Sequence, residues 1–194
     1  VLQPGISART YAVPEDDDNT VFNYLETASD RAGIGALTEK LAPERIGIIG
    51  LGGTGSYVLD LVAKTPASEV HLFDGDDYLQ HNAFRAPGAP SLDELREAPK
   101  KVDFFSGIYS KMRRGIIPHA VAIGADTISL LDPITFAFVC IDGGDAKRLI
   151  FEKLEALKVP FVDVGMGLEL VDGSLGGILR VTASTPEKRD HVHQ

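Results

Sequence analysis

A chain of 194 residues, 44% hydrophobic and 24% charged, suffices for one domain that buries roughly 70% of its unfolded surface. Its formal net charge of -9 argues against a nucleic-acid binder or a binder of anionic membranes, both of which present a basic face. No apolar run approaches the ~20 residues of a membrane span, no secretory signal opens the chain, and a single cysteine, Cys140, excludes an internal disulfide and a cysteine-based zinc site. A cytoplasmic protein fits. The chain starts at Val1 and stops at Gln194 without an evident closing element, and it reads as a piece of a longer polypeptide.

In chain order, residues 1–30 read as a lead-in: an acidic, proline-bearing linker through Asn19, then a short helix over 20–29. A second short helix is expected over 34–41, stopped at Pro43. Strand 45–50, helix 55–64 and strand 69–74 follow, then a loop over 75–98, helix 100–113 and strand 118–123. Strand 134–141, helix 144–157 and strand 160–164 continue the alternation, and 167–182 reads as a hairpin turning at Asp172-Gly173. Apolar strands alternating with helices predict a mostly parallel α/β sheet, doubly wound, with helices on both faces and a C-terminal hairpin. The predicted domain occupies 31–184, and 185–194 is a tail or the start of a crossover region. The basic cluster Lys111, Arg113 and Arg114 reads as a solvated helix end, and Cys140 as a small core residue.

The stretch Arg45–Ser56, R-I-G-I-I-G-L-G-G-T-G-S, carries the chemistry. An apolar strand feeds Gly50, Gly52, Gly53 and Gly55 and then a helix start, the Rossmann-like arrangement that cradles a phosphate. Gly50 permits the tight turn, Gly52 lets a phosphate approach bare backbone, and Gly55 lets helix pack on strand. Asp74 closes V-H-L-F-D, where an acid takes ribose hydroxyls. A hydride-transfer enzyme needs nothing further here, yet Asp76, Asn82 and Arg85 follow closely. An enzyme that splits ATP between its α and β phosphates does need cationic and polar groups at that place. Arg85 offers a bidentate fork, Lys101 (or its neighbour Lys100) a point charge, and Asp142, at the carboxyl end of strand 134–141, a ligand for Mg²⁺.

With these blocks in order, the chain resembles the ThiF-type adenylyltransferases, the sulfur-carrier activators and ubiquitin-activating enzymes, from about Arg31 to Thr182. The G-x-G-G-x-G-S motif is matched at Gly50–Ser56, the D-x-D-(x5)-N-x-x-R block at Asp74, Asp76, Asn82 and Arg85, the lysine at Lys101, and the later aspartate segment at Asp142-Gly143 through Arg148. The resemblance implies adenylation by ATP and Mg²⁺ of a ubiquitin-like or sulfur-carrier protein at its C-terminal glycine. It also implies Arg31 as an arginine reaching the γ-phosphate, and a possible homodimer. Two departures accompany it. Ala86 replaces the family's usual glutamine, and Thr185–Arg189 carries none of the zinc or catalytic cysteines of some relatives. Two other readings stay open: a non-catalytic nucleotide-binding scaffold, and an NAD-dependent oxidoreductase, which leaves Asn82, Arg85 and Asp142 unexplained.

Overall fold

The structure is a computed structural model that describes residues 20–24 and 35–192. Helix α1 (Gly35–Thr38) runs into a 3-10 turn at Glu39–Leu41. There follow β1 (Arg45–Ile49), α2 (Gly53–Val62), β2 (Glu69–Phe73), α3 (Gln80–Ala83), α4 (Leu92–Glu97), α5 (Lys101–Tyr109) and β3 (Ile116–His119). The chain continues through β4 (Phe136–Val139), α6 (Asp145–Ala156), β5 (Phe161–Val171) and β6 (Ser174–Ser184). The six strands form one sheet in the order β3-β2-β1-β4-β5-β6. All pairs are parallel except β5–β6. The strand order reverses between β1 and β4, so the carboxyl ends of these two strands leave a crevice between them.

The period of two along each strand sorts the core. Ile46 and Ile48 join Leu59 and Val62 of α2 and Val102 and Phe105 of α5 on one face. Ile49 and Phe73 join Val139, Phe161 and the α6 residues Ile150 and Leu154 on the other. Both faces of the central strands are therefore apolar, which is why their sequences are near-continuous hydrophobic runs.

Several expectations shift. The predicted loop over 75–98 contains α3 and α4. It is tied down by Tyr78, buried and stacked on Phe104 at 3.9 Å between ring centres. Strand 118–123 becomes β3 at Ile116–His119, because Ile116 pairs with Val70 and the sheet edge tolerates Pro118, which has no N–H to donate. The fifth strand and the hairpin are one continuous ribbon, paired from Phe161–Ser184 to Val171–Ser174. Helix 100–113 ends at Tyr109. Arg113 is fully buried rather than solvated: its guanidinium donates to the carbonyls of Thr65, at 3.0 Å, and Ala67, beyond the end of α2. That burial lowers its pKa to about 10. Of the helix expected over 20–29, only Thr20–Tyr24 are described. They are not helical, and Phe22 bridges to Arg113.

Candidate nucleotide-binding site

The carboxyl ends of β1, β2 and β4, with Val164, Gly165 and Met166 of β5, open onto a cleft of about 730 Å³. It gathers Gly50, Gly52, Gly53, Asp74, Asp76, Asn82, Arg85, Lys101 and Asp142, residues spread over more than ninety positions of sequence. Gly55 lies just behind. Arg31 lies outside the described residues.

The glycines do different things. Gly50 has φ +90, and a Cβ there would meet the Cys140 carbonyl oxygen at 2.8 Å. A Cβ on Gly55 would stand 1.8 Å from the Gly50 oxygen, so α2 can sit on the turn only without one. At Gly52 nothing lies within 4 Å of a Cβ position, so the space over it is open. Gly52 is also the N-cap of α2 and supplies no side-chain cap, so the amides of Gly53, Thr54 and Gly55 have no intrahelical acceptor. Open space over uncapped amides at the positive end of a ten-residue helix suits an anion.

Asp74 is buried and both its oxygens accept backbone amides: Leu51 N at 2.7 Å and Asp76 N at 2.9 Å. It therefore ties the glycine turn to the loop after β2, besides facing the cleft. The buried Lys101 places Nζ 2.7 Å from Asp76 Oδ2 and 3.4 Å from Asp74. Lys100 instead turns outward to Asp77, at 2.8 Å, and the Gly75 carbonyl, at 3.0 Å. Lys101 is thus the lysine of the cleft. Its hydrogen bond and charge hold the Asp76 carboxyl below the ordinary carboxylate range.

Asn82 is buried and accepts the Leu79 amide at 2.8 Å, capping α3, while its own carbonyl accepts Arg85 N at 2.9 Å. This turn sets the Arg85 backbone beside Gly53, where a Cβ would meet the Arg85 oxygen at 3.4 Å. The Arg85 guanidinium is exposed and pairs with no carboxylate among the described residues. Asp142 is likewise exposed on the cleft and without an ion pair among them. No group of three or more His, Cys, Asp or Glu among the described residues forms a metal cage. One carboxylate facing a phosphate site does fit Mg²⁺ that arrives with its nucleotide, because that ion is commonly bound by one or two carboxylates plus substrate phosphates.

Three features escaped the sequence reading. Cys140 is half-buried and lines the cleft rather than the core. Burial and the Asp163 carboxylate push its thiol up to about 11, with Lys147 opposing. Lys147 in the first turn of α6 pairs with the buried Asp163 near the start of β5, at 2.6 Å, and Arg180 of β6 pairs with the same carboxylate at 2.9 Å. The sequence match had pointed to Arg148, which is exposed and beside Asp145. A lysine one residue earlier, on the inward face of the helix, was the available signal. Tyr57 and His81 also line the cleft.

Residues 27–186 match the ThiF family. The chain belongs to that family. Among relatives of this ThiF domain is ubiquitin-like modifier-activating enzyme 5 of Aedes aegypti, 22% identical over 169 residues, or 81% of this chain and 42% of the relative. Among solved structures, Escherichia coli MccB with ATP aligns at TM-score 0.62 and 17% identity over 78% of this chain and 43% of that one. Escherichia coli tRNA N6-threonylcarbamoyladenosine dehydratase, TcdA, with AMP aligns at TM-score 0.58 and 19% identity over 73% and 62%. At these identities the structural likeness is one of fold. The chain spans less than half the length of the enzyme 5 relative. No helix among the described residues is long and apolar enough to cross a membrane.

Proposed function

We propose that residues 31–184 form an ATP-dependent adenylation domain, working in the cytoplasm, that activates the C-terminal glycine carboxylate of a ubiquitin-like or sulfur-carrier protein. The observation that carries this reading is the convergence of Arg85, Lys101 and Asp142 on one cleft around an uncapped glycine turn. A carboxylate oxygen of the acceptor attacks the α-phosphorus, the bond from that phosphorus to the bridging oxygen breaks, and pyrophosphate leaves with the electron pair. The acceptor is already ionised, so no general base is required. The α2 amides, Arg85 and Lys101 meet the phosphate charge, and Asp74 and Asp76 lie where the nucleoside hydroxyls would be held. Mg²⁺, with Asp142 as its protein ligand, would neutralise charge on the departing pyrophosphate. Arg31 is assigned to the γ-phosphate on resemblance alone.

A nucleotide-binding scaffold would have no use for a free arginine, a buried lysine and an exposed aspartate together. The net charge of -9 disfavours a tRNA acceptor, the substrate in TcdA's name, because polyanions are held by basic surfaces. The test is ATP–pyrophosphate exchange with Mg²⁺, with and without carrier proteins ending in glycine, on the full-length protein. Exchange that requires the carrier is expected, with Asp142→Ala abolishing it while leaving the fold intact. Tight ATP binding without exchange against suitable carriers refutes the reading in favour of a scaffold.

A further inference from the structure

Helix α6 buries Lys147, Ile150 and Leu154, spaced as one inward stripe, so the first position of that stripe is a lysine. Its Nζ meets Asp163 Oδ1 at 2.6 Å, and Arg180 holds the other carboxylate oxygen at 2.9 Å. Asp163 stands in register with Val139, the last residue of β4. The ion pair therefore joins the end of β4 to the start of α6, across the five residues 140–144 that connect them. Asp142 is the middle one. Little else fixes this segment. At one end Cys140 N donates to the Ile49 carbonyl at 2.8 Å. Past Asp142 come Gly143 and Gly144, neither with an atom within 4 Å of a Cβ position. Gly144 has φ +118 and gives α6 no side-chain cap. Two unhindered glycines leave many backbone paths open, so the place of the Asp142 carboxylate is set by where α6 starts.

We propose that Lys147 and Asp163 are positioning residues for Asp142: their ion pair fixes the first turn of α6 against β5, and with it the place where the Asp142 carboxylate meets the Mg²⁺ of bound ATP. The inference rests on the adenylation reading above. Neither residue lines the cleft, although Val164, next to Asp163, does. Both act on it electrostatically: after burial, the charges that move the Cys140 thiol are those of Asp163 and Lys147, which places the pair beside the segment. Stability alone does not call for such a pair, because apolar residues of similar volume serve a core as well or better. What an ammonium–carboxylate contact adds is one arrangement, fixed in length and direction. Groups that hold a metal-binding carboxylate from behind weaken metal binding by roughly 10- to 100-fold when they are lost.

Calorimetric titration of the full-length protein with ATP, without carrier and in either EDTA or excess Mg²⁺, tests this apart from turnover. In the wild type Mg²⁺ should tighten ATP binding by about tenfold or more, and Asp142→Ala should remove that gain. Lys147→Met keeps the stem and loses the ammonium. It should remove most of the gain and leave the affinity in EDTA nearly unchanged. Charge alone predicts the opposite sign, since deleting a nearby cation favours Mg²⁺. Added to Asp142→Ala, Lys147→Met should cost nothing further, because its effect runs through that carboxylate. Arg148→Met, one position on and exposed, should change neither affinity. A gain that Asp142→Ala removes and Lys147→Met leaves intact overturns the positioning role and spares the adenylation reading. An equal further loss in the Asp142→Ala background, or the same loss from Arg148→Met, also overturns it. A wild type without the gain, or a gain indifferent to Asp142→Ala, overturns this inference together with the Mg²⁺ role on which it rests. Should Lys147→Met fail to fold, Lys147→Met/Asp163→Asn, which removes both buried charges, takes its place with the same outcomes.

Discussion

Lys101 Nζ rests 2.7 Å from Asp76 Oδ2, joining the first residue of α5 to the loop that follows β2. Asp76 is largely exposed, whereas Lys101 and Asp74 are buried. The lysine is therefore held in place by one carboxylate that can move and one that cannot. Nucleotide phosphates can draw the ammonium away from Asp76 without leaving a buried charge alone. Lys101→Met, which keeps the side-chain volume, is expected to lower the exchange rate by on the order of 100-fold or more. Measuring kcat and KM for ATP separately checks the role. A change confined to KM would show that Lys101 contributes only ground-state binding.

Two glycines of the same turn, Gly55 and Gly52, should answer oppositely to alanine. Gly55→Ala forces a Cβ against the Gly50 carbonyl, and is expected to destabilise the domain by roughly 3 kcal/mol or more. Gly52→Ala places its methyl in open space, so stability should change by about 0.5 kcal/mol or less. That methyl stands where an anion would approach the α2 amides, so ATP affinity should fall. Chemical denaturation and ATP titration on both variants separate the two effects.

The pair between Lys147 and Asp163 is buried, while Arg180 is exposed. Asp163→Ala leaves the buried Lys147 uncompensated and should cost about 3–5 kcal/mol, and Lys147→Ala, which leaves Asp163 only the exposed Arg180, should cost about 2–4 kcal/mol. Arg180→Ala should cost under about 1 kcal/mol, because water screens its side of the contact. Loss of stability in urea melts that is equal for Lys147→Ala and Arg180→Ala would contradict this division.

Cys140 has its thiol pushed up to about 11, chiefly by burial. The raised value keeps the sulfur neutral at pH 8, and the neutral thiol is a poor nucleophile. Alkylation by iodoacetamide in the native state should therefore be slow at pH 8 and accelerate toward pH 11. The unfolded chain, with an ordinary thiol near ~8.5, should react readily at pH 8. Equal rates for native and unfolded protein would place Cys140 in solvent.

Local chemistry made much of this legible. Short apolar runs, the glycine turn and the spacing from Asp74 to Arg85 are written within a few residues of one another, and their meaning is steric or positional. The family and the α/β architecture followed from them. Helix α4 lies inside the expected 75–98 loop and was missed, although Ser91 and Glu94 form a capping box, with Glu94 Oε2 accepting Ser91 N at 2.7 Å and Ser91 Oγ accepting Glu94 N at 3.2 Å. The residues that the sequence left ambiguous depend on distance in space. Which of Lys100 and Lys101 turns inward is set by the packing of α5 against the loop after β2. Arg113 is buried because carbonyls from beyond α2 need a donor, and Asp163 is paired because α6 carries Lys147 over the start of β5. A composition or a period cannot encode such meetings, since each partner is fixed by the path of some other segment. The sequence by itself determined the glycine turn and the central parallel strands; the tertiary structure alone decided where the edge strand β3 pairs, how far the β5–β6 ribbon runs and which charges meet.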